Sequence, residues 1–267
     1  MNFFKYPIDR SLACGSFTLE HILFIIVCLF LIGLGLYISI KKVKNLDKFL
    51  FIIGIIVFLF ELAKIIWGTK VGRYDSLVEY LPLWFCSLFV PSSILSGITR
   101  GKVQKFFLNF MFYGGIFGGL FYLLFPTTSL HKYPTFHFLS FHSMFYHSVM
   151  IYSGLMIMIK GLVKPNLKDF LPYFIFTTSF CIISYFINEY FDTNFMFLHS
   201  TSNNNMLKIL KELTKDFYPI ALTLIQNIGT FFLSYGFFKG CTILKNKIKK
   251  IINFKYKIYK KGGTNGK

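Results

Sequence analysis

The sequence predicts an all-α polytopic membrane bundle of about seven transmembrane helices, with the N-terminus outside and the C-terminus cytoplasmic. Two observations carry this. Seven apolar stretches, at residues 17–40, 49–67, 80–98, 106–125, 140–159, 170–190 and 218–238, fill most of the 267 residues. Each is close to the ~20 residues that cross ~30 Å of hydrocarbon. The basic residues then sort by connection. Of the 29, twenty fall after spans one, three and five and in the tail, eight fall on the other side, and Lys64 alone lies within a span. Lysine and arginine are retained on the cytoplasmic side, which sets the orientation. Acidic residues lean the other way, with Asp75 among those expected in outer loops.

The spans, at 54% hydrophobic content overall, leave no room for a separate soluble catalytic domain. A single transmembrane domain is expected over residues 1–240, followed by a basic amphipathic cytoplasmic tail at 241–267. The net charge of +18 sits in inner loops and tail, where it meets anionic lipid, so nucleic acid is not an expected partner. The five cysteines form no CxxC pair, which suggests neither a metal cluster nor a disulfide framework. Leu12-Ala13-Cys14-Gly15 has the form of a lipoprotein processing site, but no apolar region precedes it, so the first span is expected to be retained.

Taken in order, span one opens on Glu20 and His21, expected at the lipid headgroups. Span two carries Glu61 and Lys64, whose i,i+3 spacing allows a simple pair. Span three carries Cys86. Span four contains Gly114-Gly115-Ile116-Phe117-Gly118-Gly119, two overlapping GxxxG spacings that let helices approach closely, more readily within the bundle than between copies. The loop before span five holds His131, Pro134 and His137, and the span itself His142 and His147. Span six ends in Asn188 and Glu189. The connection after it contains Asn194, a turn expected at Asn203-Asn204-Asn205, and an interfacial helix expected at 206–214. Span seven carries Gln226 and Asn227. In the tail a basic amphipathic helix is expected at 241–261, with 262–267 disordered.

Ionisable groups in a membrane are costly and normally face an interior or a wet cavity. Glu61, Cys86, His147 and Gln226 fall roughly 9–13 Å below the outer surface at 1.5 Å per residue, and this shared depth marks a candidate site. Little beyond Asn109 and Ser/Thr is expected in the inner half. A metal is not expected, because the five-residue spacing of His142 and His147 suits no standard ligand pair on a helix. No cofactor is expected. Membrane lipids and a small-molecule or lipid substrate are the expected partners, the cell membrane is the expected location, and the oligomeric state is open.

Leu81-Pro82-Leu83-Trp84-Phe85-Cys86, with Glu61 before it, His142-Ser143-Met144-Phe145-Tyr146-His147 and Thr193-Asn194-Phe195-Met196-Phe197-Leu198, resembles the YwaF-like family of bacterial integral membrane proteins. The blocks cover roughly residues 50–238. The sequence departs from that pattern at Trp84, where a polar or His residue is expected. The family is distantly similar to a eukaryotic multi-pass acyltransferase that remodels ether phospholipids with a membrane Cys and a His. The resemblance implies those roles for Cys86 and for His147 or His142. Glu61, Asn188, Glu189, Asn194, Gln226 and Asn227 are then candidate substrate-binding residues, with Glu61 or Asn227 also able to orient the imidazole. The alternative expectation is a transporter or solute-binding membrane subunit using the same polar layer.

Overall fold

The computed structural model describes residues 3–73, 77–202 and 204–262. Asp75, Asn203 and the end at 263–267, for which outer-loop, turn and disordered states are expected, lie outside them. Nine α-helices make up the described fold: α1 (Leu19–Lys42), α2 (Leu46–Lys70), α3 (Phe89–Ile98), α4 (Gly101–Tyr113), α5 (Gly115–Leu124), α6 (Phe138–Ile159), α7 (Phe170–Phe191), α8 (Asn205–Thr214) and α9 (Tyr218–Gly262). The helices run antiparallel between two ends. The basic end carries the α1–α2, α3–α4 and α6–α7 connections, and the loop end carries the α2–α3, α5–α6 and α7–α8 connections.

Among the described residues, five helical stretches are long and apolar enough to cross a membrane: α1, α2, α4 with α5, α7 with its leading turn, and α8 with α9. Their outward faces are apolar. Only 11% of the most apolar window of α1 is buried, with Leu23, Ile26, Phe30 and Leu34 exposed along it. Such a belt suits hydrocarbon and would be heavily penalised in water. At 22 residues, α6 is long enough at about 33 Å but carries too many polar groups to resemble a lipid-facing span. It is largely buried, packing on α1, α2, α4 and α5, with Phe141 and Phe145 exposed along one face.

The third expected span is corrected. Residues 81–85 are not helical, and the helix runs only from a 3-10 turn at Cys86–Leu88 through α3, about 20 Å in all. Pro82 lacks an N–H, and the residue before a proline is driven to extended backbone, so the chain descends unwound. The fourth span is broken at Gly114, which both ends α4 and begins α5. The last span and tail form one helix of 45 residues, about 68 Å long, so no break in structure marks residue 240.

Small residues let α2 and α3 touch. A Cβ on Gly97 would sit 2.5 Å from Phe51 Cβ, and one on Gly54 2.7 Å from Ile94 Cγ1. Ser93 Oγ donates to the Leu50 carbonyl at 2.7 Å beside them. The basic end is tied together by its own polar contacts. Tyr113 Oη and the Asn166 N–H donate to Asp169 Oδ2, both at 3.1 Å, and Gln104 Nε2 donates to Asp47 Oδ1 at 2.9 Å.

At the loop end the N-terminal segment folds back over the 126–138 connection. Cys14 N–H donates to Tyr133 O, Gly15 N–H to Leu130 O, and Phe138 N–H to Phe3 O. Trp67 Nε1 donates to Phe4 O at 3.2 Å. His21 does not face outward to lipid. It is fully buried, accepting from Phe17 N–H at Nδ1 and donating through Nε2 to Leu123 O at 2.8 Å. His137 is the N-cap of α6. Its Nδ1 accepts from the Leu139 N–H and its Nε2 donates to Lys5 O at 3.1 Å, so one neutral ring caps a helix and ties down the N-terminus.

Burial, with a smaller contribution from Arg73, holds the His137 pKa below the ordinary 6.5, against the opposing pull of the Lys5 carbonyl. A depressed folded value means the unfolded chain binds the proton first. The stabilisation is therefore complete above 6.5 and is lost as pH falls through the lowered folded value. Amide protection at Gly15 and Phe138, taken relative to the intrinsic exchange rate at each pH, should fall on acidification from pH 7.5 to 5, and His137→Asn, which keeps a capping acceptor without titrating there, should blunt the change. Equal protection at both pH values in the native chain would contradict this.

Candidate functional site

Cys86 is the first residue of the 3-10 turn that starts the short α3 helix. Among the cysteines Cys28 and Cys181 are buried, whereas Cys86 is partly exposed. Its sulfur sits at the start of that turn, where the Ser87 N–H is already committed to Trp84 O at 2.9 Å. Its carbonyl accepts from Tyr146 Oη at 2.9 Å. That bond joins the unwound segment to the centre of α6.

Tyr146 stands between the two histidines predicted from the sequence. Its ring stacks with His142 at 6.2 Å and meets His147 at 5.4 Å. His147 Nδ1 lies 2.7 Å from Ser143 O, one turn back on α6. A carbonyl only accepts, so this bond puts the proton on Nδ1 and leaves Nε2 as the ring's acceptor. On its other face His147 lies flat against Tyr122, with centroids 3.5 Å apart and 5° between planes. The Tyr122 hydroxyl is anchored in turn by Thr128 and Ser129, at 2.8 and 2.9 Å.

His142 faces α2. Its Nε2 is 3.3 Å from Glu61 Oε1, within ion-pair distance but not aligned as a hydrogen bond. Glu61 also pairs with Lys64 one turn along. The simple Glu61–Lys64 pair expected from the spacing is therefore extended by a third member. Phe60 stacks on the far side of the His142 ring at 5.7 Å.

The glycines of α4 and α5 create this closeness. A Cβ on Gly119 would sit 2.7 Å from His147 O, and one on Gly115 3.1 Å from Met150 O. Gly114 and Gly118 instead face the Phe85 ring, at 3.2 and 3.1 Å. The GxxxG spacings are used inside the bundle, as expected. One glycine-rich stretch thus seats both α6 and the residue before Cys86.

The remaining predicted residues lie elsewhere. Asn188 is fully buried: its Oδ1 accepts from Phe195 N–H at 2.7 Å and Thr193 Oγ1 at 2.9 Å, and its Nδ2 donates to Phe195 O. Asn194 Oδ1 accepts from the N–H groups of His199 and Ser200, and its Nδ2 donates to Ser200 and Ser202. Together they hold a turn in which Asp192, Met196 and Phe197 take positive φ of 51°, 54° and 59°. Each such non-glycine residue costs about 1–3 kcal/mol unless its surroundings enforce it. The turn packs on Trp84, whose ring meets Phe195 at 5.8 Å and Phe197 at 5.2 Å. Glu189 is exposed and pairs with His199 at 3.2 Å. Asn227 belongs to the α7–α9 pair, donating to Thr178 Oγ1 at 3.0 Å while its buried Oδ1 has no hydrogen-bond partner among the described residues. Gln226 precedes it there and accepts from Thr230 through its backbone carbonyl.

Two groups therefore form: Glu61, Lys64, Cys86, Tyr122, His142, Tyr146 and His147 around α6, and Gln226 with Asn227 between α7 and α9. The tyrosines were not singled out from the sequence; Tyr146 could have been, since it lies between the two histidines in order. Among the described residues no three His, Cys, Asp or Glu side chains are arranged to hold a metal. Gly119→Leu should drive α5 off α6 and part Tyr122 from His147. Overpacking of this kind costs about 1–3 kcal/mol, read as a lower melting temperature, whereas Gly33→Leu, with open space at its Cβ, should not. Equal stability of the two variants would contradict the packing described.

No curated protein and no solved structure matches the chain. A family model does, across residues 16–236, a stretch that holds every residue of both polar groups and stops short of the tail. The chain belongs to the TMEM164 family of membrane proteins.

Proposed function

We propose that the chain is a YwaF-like acyltransferase or hydrolase of membrane lipids, with Cys86 as nucleophile and His147 as proton carrier. The observation that carries the reading is the partly exposed Cys86 at a helix start, tied through Tyr146 to a helix whose His147 keeps Nε2 as its acceptor. A thiol beside an imidazole is the usual requirement for this chemistry. In this reading Cys86 Sγ gives its proton to His147 Nε2 and attacks the carbonyl carbon of an acyl ester. The ester C–O bond breaks, the departing lipid oxygen takes the proton from His147, and the acyl group stays on sulfur as a thioester. A lipid hydroxyl, or water in hydrolysis, then attacks the thioester and yields its proton to His147. The sulfur leaves as thiolate and regains that proton. Glu61, through His142, supports the histidine side of the site.

Cys86→Ala and His147→Gln should each abolish lipid-acyl exchange in reconstituted membranes with little change in melting temperature. Full exchange by Cys86→Ala would overturn the assignment. The second reading, a transporter or solute-binding subunit, is favoured by the Glu61–Lys64–His142 charge cluster within the bundle. It predicts solute-dependent stability without covalent labelling.

The twenty-to-eight split of basic residues supports a cell-membrane protein with its basic end cytoplasmic. A reporter fused after Lys267 should read as cytoplasmic and one near Asn204 as external. The reverse pattern would invert the topology.

A further inference from the structure

The α8 helix presents two different apolar surfaces. Leu207 and Leu210 pack inward against a cluster that contains Met196, Leu198, Tyr218 and Leu222. Met206, Ile209 and Leu213 do not: they are 61, 58 and 78% exposed. At 100° per residue these three fall within a sector of about 60°, and Lys208 and Lys211 lie on the opposite side. Left in water, the stripe would be an unmet cost.

Its surroundings indicate what covers it. A single 3-10 turn, Lys215–Phe217, separates α8 from α9, one of the helices long and apolar enough to span. Phe217, 70% exposed, and then Ile220, Leu224 and Ile225 continue the exposed apolar surface down α9. The stripe is thus followed, one turn of chain later, by the exposed apolar surface of a helix apolar enough to span. A helix with one apolar face and a lysine-rich opposite face, too polar on that side to insert, lies in the plane of a membrane interface.

We propose that α8 is an interfacial helix that seats Met206, Ile209 and Leu213 in the headgroup–acyl boundary of the leaflet at the loop end. The partner is the lipid surface itself. The same cluster that receives Leu207 and Leu210 includes Phe85, the residue before Cys86, so this leaflet borders the packing that supports the unwound segment. The inference stands on exposure and continuity and does not depend on acyl chemistry.

The test uses the full chain in vesicles of phosphatidylcholine with one-fifth phosphatidylglycerol. Phospholipids carrying a carbene precursor near the glycerol or at the acyl-chain end are photolysed, and labelled peptides are identified by mass spectrometry. The peptide spanning 205–217 should be labelled at least fivefold more by the shallow probe than by the deep one, and Ile209→Glu with Leu213→Glu should cut that labelling severalfold. Labelling of 205–217 no higher than that of the 127–137 connection would overturn the proposal. So would crosslinked dimers through α8, which would make a second copy the occupant. Because both substituted residues are exposed, the double variant should keep its fold, and an unchanged labelling pattern in it would also count against the proposal.

Discussion

The close approach of α5 to α6 is the contact on which the rest of the structure depends. Between membrane helices there is no hydrophobic driving force, so association rests on van der Waals packing and hydrogen bonds at short range. Gly115 and Gly119 lay the α5 backbone against the carbonyls of Met150 and His147. Only at that separation can Tyr122 lie flat on His147. The other two glycines of the run receive Phe85, so the same helix sets the height of the unwound segment that ends at Cys86.

An unwound backbone at that depth must be satisfied by protein, since lipid offers nothing in exchange. The Leu83 carbonyl takes Ser184 Oγ at 3.2 Å, the Cys86 carbonyl takes Tyr146 Oη, and the Ser87 N–H returns to Trp84 O at 2.9 Å. Trp84 leans on the turn at 192–198, whose left-handed residues are enforced by Asn188 and Asn194. Polar side chains in this bundle therefore do two kinds of work. Ser184, Asn188 and Asn194 complete backbone that is not helical, while Glu61, His142 and His147 keep ring and carboxylate groups beside a thiol segment.

Much of this was legible in the sequence because a polar group in an apolar run is conspicuous. Glu61, His142 and His147 stood out for that reason and are gathered around α6. Helical rise gives a position along each helix but not an azimuth, so Gln226 and Asn227 were grouped with a layer from which the structure separates them. Asn188 stood out equally, yet nothing local could tell a substrate group from one that closes a turn seven residues ahead. Tyr122 and Tyr146 were hidden among 16 tyrosines and 36 phenylalanines, because hydroxyl partners are set by tertiary packing. Pro82 was a visible sign that span three would not be helical throughout, but seven hydropathy peaks masked it. His21 was misplaced because its partner, the Leu123 carbonyl, lies 102 residues away.

The central claim is that the thiol at the start of the short helix accepts an acyl group. The most direct measurement is the mass of the peptide containing Cys86 after the reconstituted protein is exposed to a phospholipid donor and quenched in acid. One acyl mass is expected on Cys86, removable by neutral hydroxylamine and absent when His147 is replaced by Gln. An unmodified Cys86 peptide during active turnover, or an adduct that forms equally well without His147, would contradict it.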